Sequence, residues 1–218
     1  APAPLNAPPI VPVKPTGAPA GTVPTDPEVM VVNSPPGLED DIPDAPDVSE
    51  LLCAERLNIV VVASECAPFA KTGGLGDVAA ALPKALQRRG HRVMVVMPRY
   101  KDYEGVFDTA VRVNFNVLGN DTEVGYFHMF KNGIDTVFID HPCYHAVKDN
   151  IYAGDRGAAN FRNALLCQAA IEAVWHVPCG GYPYGDSDLV YMANDWHTSL
   201  LPVYLQAYYQ DHGKLEFA

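Results

Sequence analysis

The sequence predicts an α/β domain built on a buried, largely parallel sheet and preceded by a disordered, proline-rich segment. Three observations carry this. Two runs, Leu57–Ala63 (LNIVVVA) and Arg92–Met97 (RVMVVM), are nearly all apolar and rich in β-branched residues. That is the pattern of strands covered on both faces. Between them Asp77–Arg89 has helical spacing and closes on Gly90 after two arginines, a good C-terminal signature. Third, 13 of the 20 prolines fall in residues 1–50.

That front segment also holds eight acids against one base, Lys14, and no aromatic residue precedes Phe69. It cannot bury enough apolar area to offset chain entropy. Residues 1–55 are therefore expected to form a disordered extension, a solvated spacer or a docking segment for a partner. Residues 56–218 are expected to form the folded domain.

Within that domain the first strand, the helix and the second strand make one βαβ unit. Pro83 lies inside the helix, tolerable in its first turns and a source of a kink later. Val111–Val117 and Val124–Phe130 alternate and are separated by Leu118-Gly-Asn-Asp-Thr122, which predicts a hairpin. Lys131-Asn-Gly133 turns the chain into another strand, Ile134–Ile139. Arg156–His176 is a long helix and Leu189–Ala193 a short buried strand. Thr198–Asp211 is predicted as a helix just after an Asn-Asp-Trp-His run. Alternating strands and helices give an open sheet of Rossmann type.

Composition excludes several classes. A net charge of −11 argues against nucleic acid as a partner. No run approaches the ~18 apolar residues of a membrane span. No basic stretch followed by an apolar one opens the chain, so a signal or transit segment is expected to be absent or already removed. Five cysteines without a C-x-x-C pair fit a reducing compartment. His141-Pro-Cys143-Tyr-His145 has metal-ligating residue types but no second cluster, so it is read as loop packing.

In open α/β sheets ligands sit outside the carboxyl ends of the strands. Two chemically rich segments fall there. Lys71-Thr-Gly-Gly-Leu-Gly-Asp77 precedes a helix. Its glycines allow close backbone approach and positive φ, and its N–H groups with the helix end suit a phosphate or pyrophosphate. Lys71 adds a point charge. Asp77 either caps the helix or accepts from sugar hydroxyls. A P-loop is excluded by pattern. A dinucleotide fingerprint is disfavoured because ten residues, 64–73, separate the first strand from the matching glycine. The second segment is Asn194-Asp-Trp-His197. His197 is the candidate ligand group, Asp195 a cap or orienting residue, and Trp196 a core residue.

Two long motifs now carry a resemblance. Ser64-Glu-Cys-Ala-Pro-Phe-Ala-Lys-Thr-Gly-Gly-Leu-Gly-Asp-Val78 resembles the opening motif of starch synthases and bacterial glycogen synthases. Asn194-Asp-Trp-His-Thr-Ser-Leu-Leu-Pro202 resembles their second motif. Trp175–Gly185 and Tyr204–Gly213 are similar to plant soluble starch synthases, closest to class II. The resemblance covers about Arg56 to the end.

It implies the N-terminal Rossmann-like lobe of a two-domain GT-B glycosyltransferase. Such an enzyme transfers glucose from ADP-glucose to the non-reducing 4-hydroxyl of an α-1,4-glucan with retention, in a plastid. It implies ADP-glucose contacts for Lys71, Gly73, Gly74, Asp77 and His197, with Asp77 and His197 at the reaction centre. No metal and no cofactor are implied. Family members continue into a second lobe, so this chain is expected to be incomplete and inactive by itself. Other starch-synthesis enzymes are the implied partners of the front extension. The alternative is a non-catalytic glucan-binding or assembly module.

Overall fold

The computed structural model describes residues 52–180, 183–186, 188–216 and 218. The expected extension, residues 1–55, lies outside the described residues as far as residue 51. The elements run β1 (Asn58–Val62), α1 (Gly74–Arg88), β2 (Arg92–Pro98), β3 (Phe107–Val117), β4 (Asn120–Lys131) and β5 (Ile134–Asp140). Then follow α2 (Pro142–His145), α3 (Arg156–His176), β6 (Leu189–Ala193) and α4 (Leu201–Tyr208). Short 3-10 turns cover Tyr184–Asp186, Trp196–Thr198 and Gln210–His212.

Six strands form one sheet in the order β3-β4-β5-β2-β1-β6. The inner part, β5-β2-β1-β6, is parallel. The β3–β4 hairpin adds antiparallel pairing at one edge, so the sheet is mixed. Every residue of β1 is buried, as its β-branched run predicts. Val60, Val61 and Val62 are completely covered, and each such side chain contributes about 1.5–3 kcal/mol of burial.

The hairpin is tighter than the sequence predicts. Only Leu118 and Gly119 lie outside the strands, with φ of 52° and 86°. Two successive positive φ values mark the two-residue turn whose twist matches that of the strands. Asn132 and Gly133 repeat this device between β4 and β5, with φ of 53° and 73°.

Helix α3 coincides with the predicted span. Asp155 caps it by accepting from the Ala158 N–H at 2.8 Å. It is buried over most of its surface, because it packs against β2, β3 and β5 on one side and α4 on another. Its buried Glu172 accepts from the Tyr209 hydroxyl and pairs with His176 at 2.9 Å.

The predicted helix Thr198–Asp211 is divided. Trp196–Thr198 is a 3-10 turn, α4 spans Leu201–Tyr208, and Gln210–His212 is a second 3-10 turn. Pro202 sits in the first turn of α4, where its missing N–H costs nothing.

Helix α1 starts at Gly74, three residues before the predicted Asp77. Pro83 lies in its third turn. A proline there removes the N–H that would bond the carbonyl four residues earlier, that of Ala79. The Cys66 thiol donates to that carbonyl, with Sγ 3.5 Å from the oxygen. Burial pushes this thiol up to about 11, so it stays protonated and able to donate.

This predicts a coupled pair. In urea unfolding, Cys66→Ala should destabilise the otherwise native chain more than it destabilises Pro83→Ala, which restores the backbone donor. The expected coupling is about 1 kcal/mol. Strict additivity would show that the thiol contact contributes nothing.

Candidate active site at the sheet switch point

The chain leaves β1 toward β2 on one side and returns on the other side as β6. The carboxyl ends of β1 and β6 are thus where connections diverge, the place where open sheets bind ligands. Asn194 ties these two ends together. Its backbone N–H donates to the Val62 carbonyl at 3.1 Å, and its side-chain amide donates to the same oxygen at 3.0 Å.

A cavity of about 290 Å³ opens at this point. Ser64, from the end of β1, and His197, from the turn after β6, lie on its walls. Tyr100, Tyr144 and Leu166 supply apolar surface. These walls are fixed from behind. The Tyr100 hydroxyl donates to the Ser64 carbonyl at 2.8 Å, and the Tyr144 hydroxyl to the Arg162 carbonyl at 2.9 Å. Arg162 also lines the cavity and reaches the Ala153 carbonyl at 2.6 Å.

His197 is only 4% exposed, and neither ring nitrogen has a hydrogen-bond partner among the described residues. The Ser64 hydroxyl is in the same condition. Unmet buried polar atoms each cost about 1–3 kcal/mol, so a wall carrying three of them is built for a polar ligand. Burial pushes the imidazole below its ordinary value, against the raising pull of Asp195 and Glu65. His197 is therefore neutral at pH 7, with one nitrogen donating and the other accepting.

The turn that presents it is strained. Asp195 has φ 67° and ψ 176°, and its carboxylate accepts from the Trp196 N–H at 2.7 Å. This agrees with the capping role read from the sequence. A non-glycine residue so placed costs about 1–3 kcal/mol and is held by its surroundings. Trp196 does not join the core, as its type and position predicted. It is 55% exposed and lies across the His197 ring, centroid to centroid 3.8 Å. The strained Asp195 turns the indole outward.

The glycine loop is arranged differently from its sequence reading. None of Gly73, Gly74 and Gly76 has positive φ. A Cβ at Gly73 or Gly74 would meet nothing within 4 Å, so these two positions leave a bare surface at the start of α1. Gly76 is the packing glycine, since a Cβ there would sit 3.2 Å from the Ala70 carbonyl oxygen. Asp77 is not a cap. Gly73 is the N-cap residue, and no side chain caps this helix. Asp77 instead pairs with Lys71 at 2.8 Å, both half-exposed.

The residue missed by sequence reasoning is Glu65. It is 1% exposed and takes the loop's own donors. Its carboxylate accepts from the Thr72 N–H at 2.6 Å, the Thr72 hydroxyl at 2.7 Å and the Gly73 N–H at 3.4 Å. The Tyr152 hydroxyl donates to it as well. Two of the N–H groups expected to face a phosphate therefore face a carboxylate.

The Tyr152 ring lies 5.3 Å from that of His197. A continuous path thus runs from His197 through Tyr152 and Glu65 to Thr72 and Gly73. Lys71, Gly73, Gly74 and Asp77 do not themselves line the His197 cavity.

Two groups of potential metal ligands resolve differently. His141 accepts from the Cys143 N–H at 3.2 Å, and His145 pairs with Asp140 at 2.8 Å. These side chains serve separate partners, but the run is not the expected loop: Pro142–His145 is α2 and His141 is its N-cap, with Pro142 in the first turn. His128, Asp135 and Cys179 offer atoms within 4.8 Å of one another. There both Asp135 oxygens are engaged, by His128 at 2.8 Å and by the Tyr184 hydroxyl at 2.7 Å. Asp135 stands at the start of β5, the end of the sheet opposite the cavity. No helix is long and apolar enough to cross a membrane among the described residues.

The structure is a Rossmann-like lobe with a switch-point cavity, a neutral histidine without a hydrogen-bond partner among the described residues, and an open glycine helix start. Residues 58–218 match the starch synthase catalytic domain, and the chain belongs to that family.

Soluble starch synthase 2-3 of Oryza sativa subsp. indica is 57% identical over 80% of this chain and 22% of its own length. Starch synthase 2 of Arabidopsis thaliana is 57% identical over 75% and 21% respectively. The chain thus spans less than a quarter of these relatives. Among solved structures, the catalytic domain of Starch Synthase IV from Arabidopsis thaliana, bound to ADP and acarbose, is similar with a TM-score of 0.58 and 28% identity. That likeness covers 73% of this chain and 32% of the other.

The Glu65 anchor generates a pH prediction. Burial raises this carboxyl, but hydrogen bonds from Thr72, Tyr152 and Gly73 outweigh it and hold it below the ordinary range. Its contribution is then complete above the ordinary glutamate value of about 4.3 and is lost as pH falls through the lower folded value. The protection of the Thr72 amide, its exchange rate relative to an unstructured amide at the same pH, should fall across that acid range, and Glu65→Gln should show the weaker protection already at pH 7 with the acid step gone. Protection that stays constant across the acid range in the native chain would remove Glu65 from this role.

Proposed function

We propose that this chain supplies the His197 wall and the glycine loop of a plastid starch synthase. The reaction moves glucose from ADP-glucose to the non-reducing 4-hydroxyl of an α-1,4-glucan with retention of configuration. The observation that carries the reading is His197: buried, neutral, unpartnered at both nitrogens, and set on a cavity at the sheet switch point. The chloroplastic/amyloplastic relatives support the plastid assignment. On this reading transfer belongs to a protein of the relatives' full length. The front segment, residues 1–55, is a spacer or a docking segment for other starch-synthesis enzymes.

The chemistry then divides among few groups. The bond from glucose C1 to the diphosphate breaks, and a bond from C1 to the acceptor O4 forms. The proton of the acceptor hydroxyl leaves with the departing phosphate oxygen. His197 donates a hydrogen bond to a hydroxyl of the donor glucose and fixes the ring. Lys71 leaves Asp77 for the diphosphate. Their exposed ion pair is worth only about 0–1 kcal/mol, so the exchange is inexpensive. Gly73 and Gly74 let the diphosphate approach the positive end of α1. Asp77, once released, accepts from a sugar hydroxyl.

In a protein of full length, Lys71→Ala should raise KM for ADP-glucose roughly tenfold, the loss of one charged hydrogen bond. Unchanged kcat/KM would remove Lys71 from the donor site. His197→Ala should lower kcat about 10²- to 10³-fold, well beyond any effect of an altered melting temperature. A normal kcat would leave His197 a packing residue. Glucan binding without any glucosyl transfer by the native protein would favour the non-catalytic module.

A further inference from the structure

His197 lacks the support that usually orients a functional imidazole. Such a ring is ordinarily held by a hydrogen bond through one nitrogen, which leaves the other for the ligand. Here neither nitrogen has a partner among the described residues. The orientation of the ring therefore rests on the rings beside it. Trp196 lies at 3.8 Å between centroids and Tyr152 at 5.3 Å. Trp196 is the adjacent residue and more than half exposed, so it belongs to the same turn as the ring it would steady. Tyr152 is fixed from elsewhere.

Tyr152 stands on a built support. It lies between α2 and α3 and borders the cavity. Its N–H donates to the Asn150 side-chain oxygen at 3.2 Å, and the Ala153 N–H donates to the Asn150 carbonyl at 2.8 Å. The Ala153 carbonyl in turn accepts from the buried Arg162 of α3 at 2.6 Å. Gly154 follows with φ 101°, and a Cβ there would stand 3.4 Å from the same guanidinium. Glycine is required at that position, for the dihedral and for the room. From this support the Tyr152 hydroxyl donates to Glu65 across 87 residues. The donors from Thr72 and Gly73 are local, seven and eight residues away.

The geometry points to Tyr152 as a positioning residue with two separable duties. Its ring sets the orientation of His197. Its hydroxyl, through Glu65, sets the glycine loop. One side chain thus keeps the sugar-facing histidine and the diphosphate-facing loop in a single register. This rests on the transfer reaction proposed above, while the coupling of Tyr152 to the loop is measurable without turnover.

Two variants separate the duties. Tyr152 is 43% exposed, so replacing it does not open the core. Tyr152→Phe keeps the ring and removes the donor; Tyr152→Leu removes both. In this chain, both variants should lower the hydrogen-exchange protection of the Thr72 amide at pH 7 about fivefold, the loss of one donor to a charged acceptor. Native protection in Tyr152→Phe would overturn the link to the loop.

In an enzyme of the relatives' full length, Tyr152→Phe should raise KM for ADP-glucose about fivefold and leave kcat within twofold of native. Tyr152→Leu should show the same rise in KM and in addition lower kcat about tenfold, because a displaced imidazole is poorly aimed. A native kcat in Tyr152→Leu would overturn the link to His197. So would equal losses of kcat in the two variants, since a merely structural role does not distinguish the ring from its hydroxyl. Absence of ADP-glucose-dependent transfer in the native protein would instead defeat the reaction assignment, and the Thr72 measurement would then decide the coupling by itself.

Discussion

One buried carboxylate organises the ligand-facing side of this molecule. Glu65 leaves the end of β1 and is covered almost completely. A carboxylate in that position needs several strong donors, because its desolvation is otherwise too costly. It finds them in the loop that follows and in Tyr152, which comes from 87 residues away. The start of α1 is thereby placed without a capping side chain. Through Tyr152 the same carboxylate also places an aromatic ring beside His197. The loop and the histidine, far apart in sequence, are positioned by a single charge.

The second support is the sheet itself. β1 lies between β2 and β6; the connection leaving its end turns to the β2 side, while β6 on its other side is reached from β5. A gap opens there, and side chains from the segment after β1, from β2, from α3 and from the turn after β6 enclose it. The strained Asp195 and the bifurcated Asn194 contacts work at this same corner. They make a turn sharp enough to bring His197 inward while sending Trp196 outward.

The fold was legible where burial speaks through composition. Val60, Val61 and Val62, or Val95 and Val96, can only be strands covered on both faces. The span of α3 was readable from its helical spacing, and the structure adds Asp155 as its cap. The hairpin was readable in kind but not in length, since a leucine at positive φ gives no sequence signal. His197 was singled out because it follows a strand end, and the structure places it buried and without a partner among the described residues on the cavity wall.

Glu65 was not legible. Its partners lie at separations of 7, 8 and 87 residues, and a glutamate in a polar loop looks like any solvated residue. Trp196 misled for a similar reason. Aromatic bulk ordinarily means core, and only the tertiary strain at Asp195 reverses it. Of the two properties read for the glycines, close backbone approach fits Gly73 and Gly74, which leave a helix start bare, whereas none of the three has positive φ and Gly76 permits packing.

The Lys71–Asp77 pair has a further consequence, for how an anion arrives. With its ammonium matched by a carboxylate 2.8 Å away, the unliganded loop has almost no net charge at a distance. Residues 51–218 carry 18 acids against 14 bases, a net −4. Such a surface does not draw an anionic ligand in by its long-range field. On the proposed role, encounter is left to ordinary diffusion, and selection would follow contact, with the lysine changing partners. A loop of that kind would be slow to be found by any anion and indifferent to those too small to reach the helix end and the lysine together.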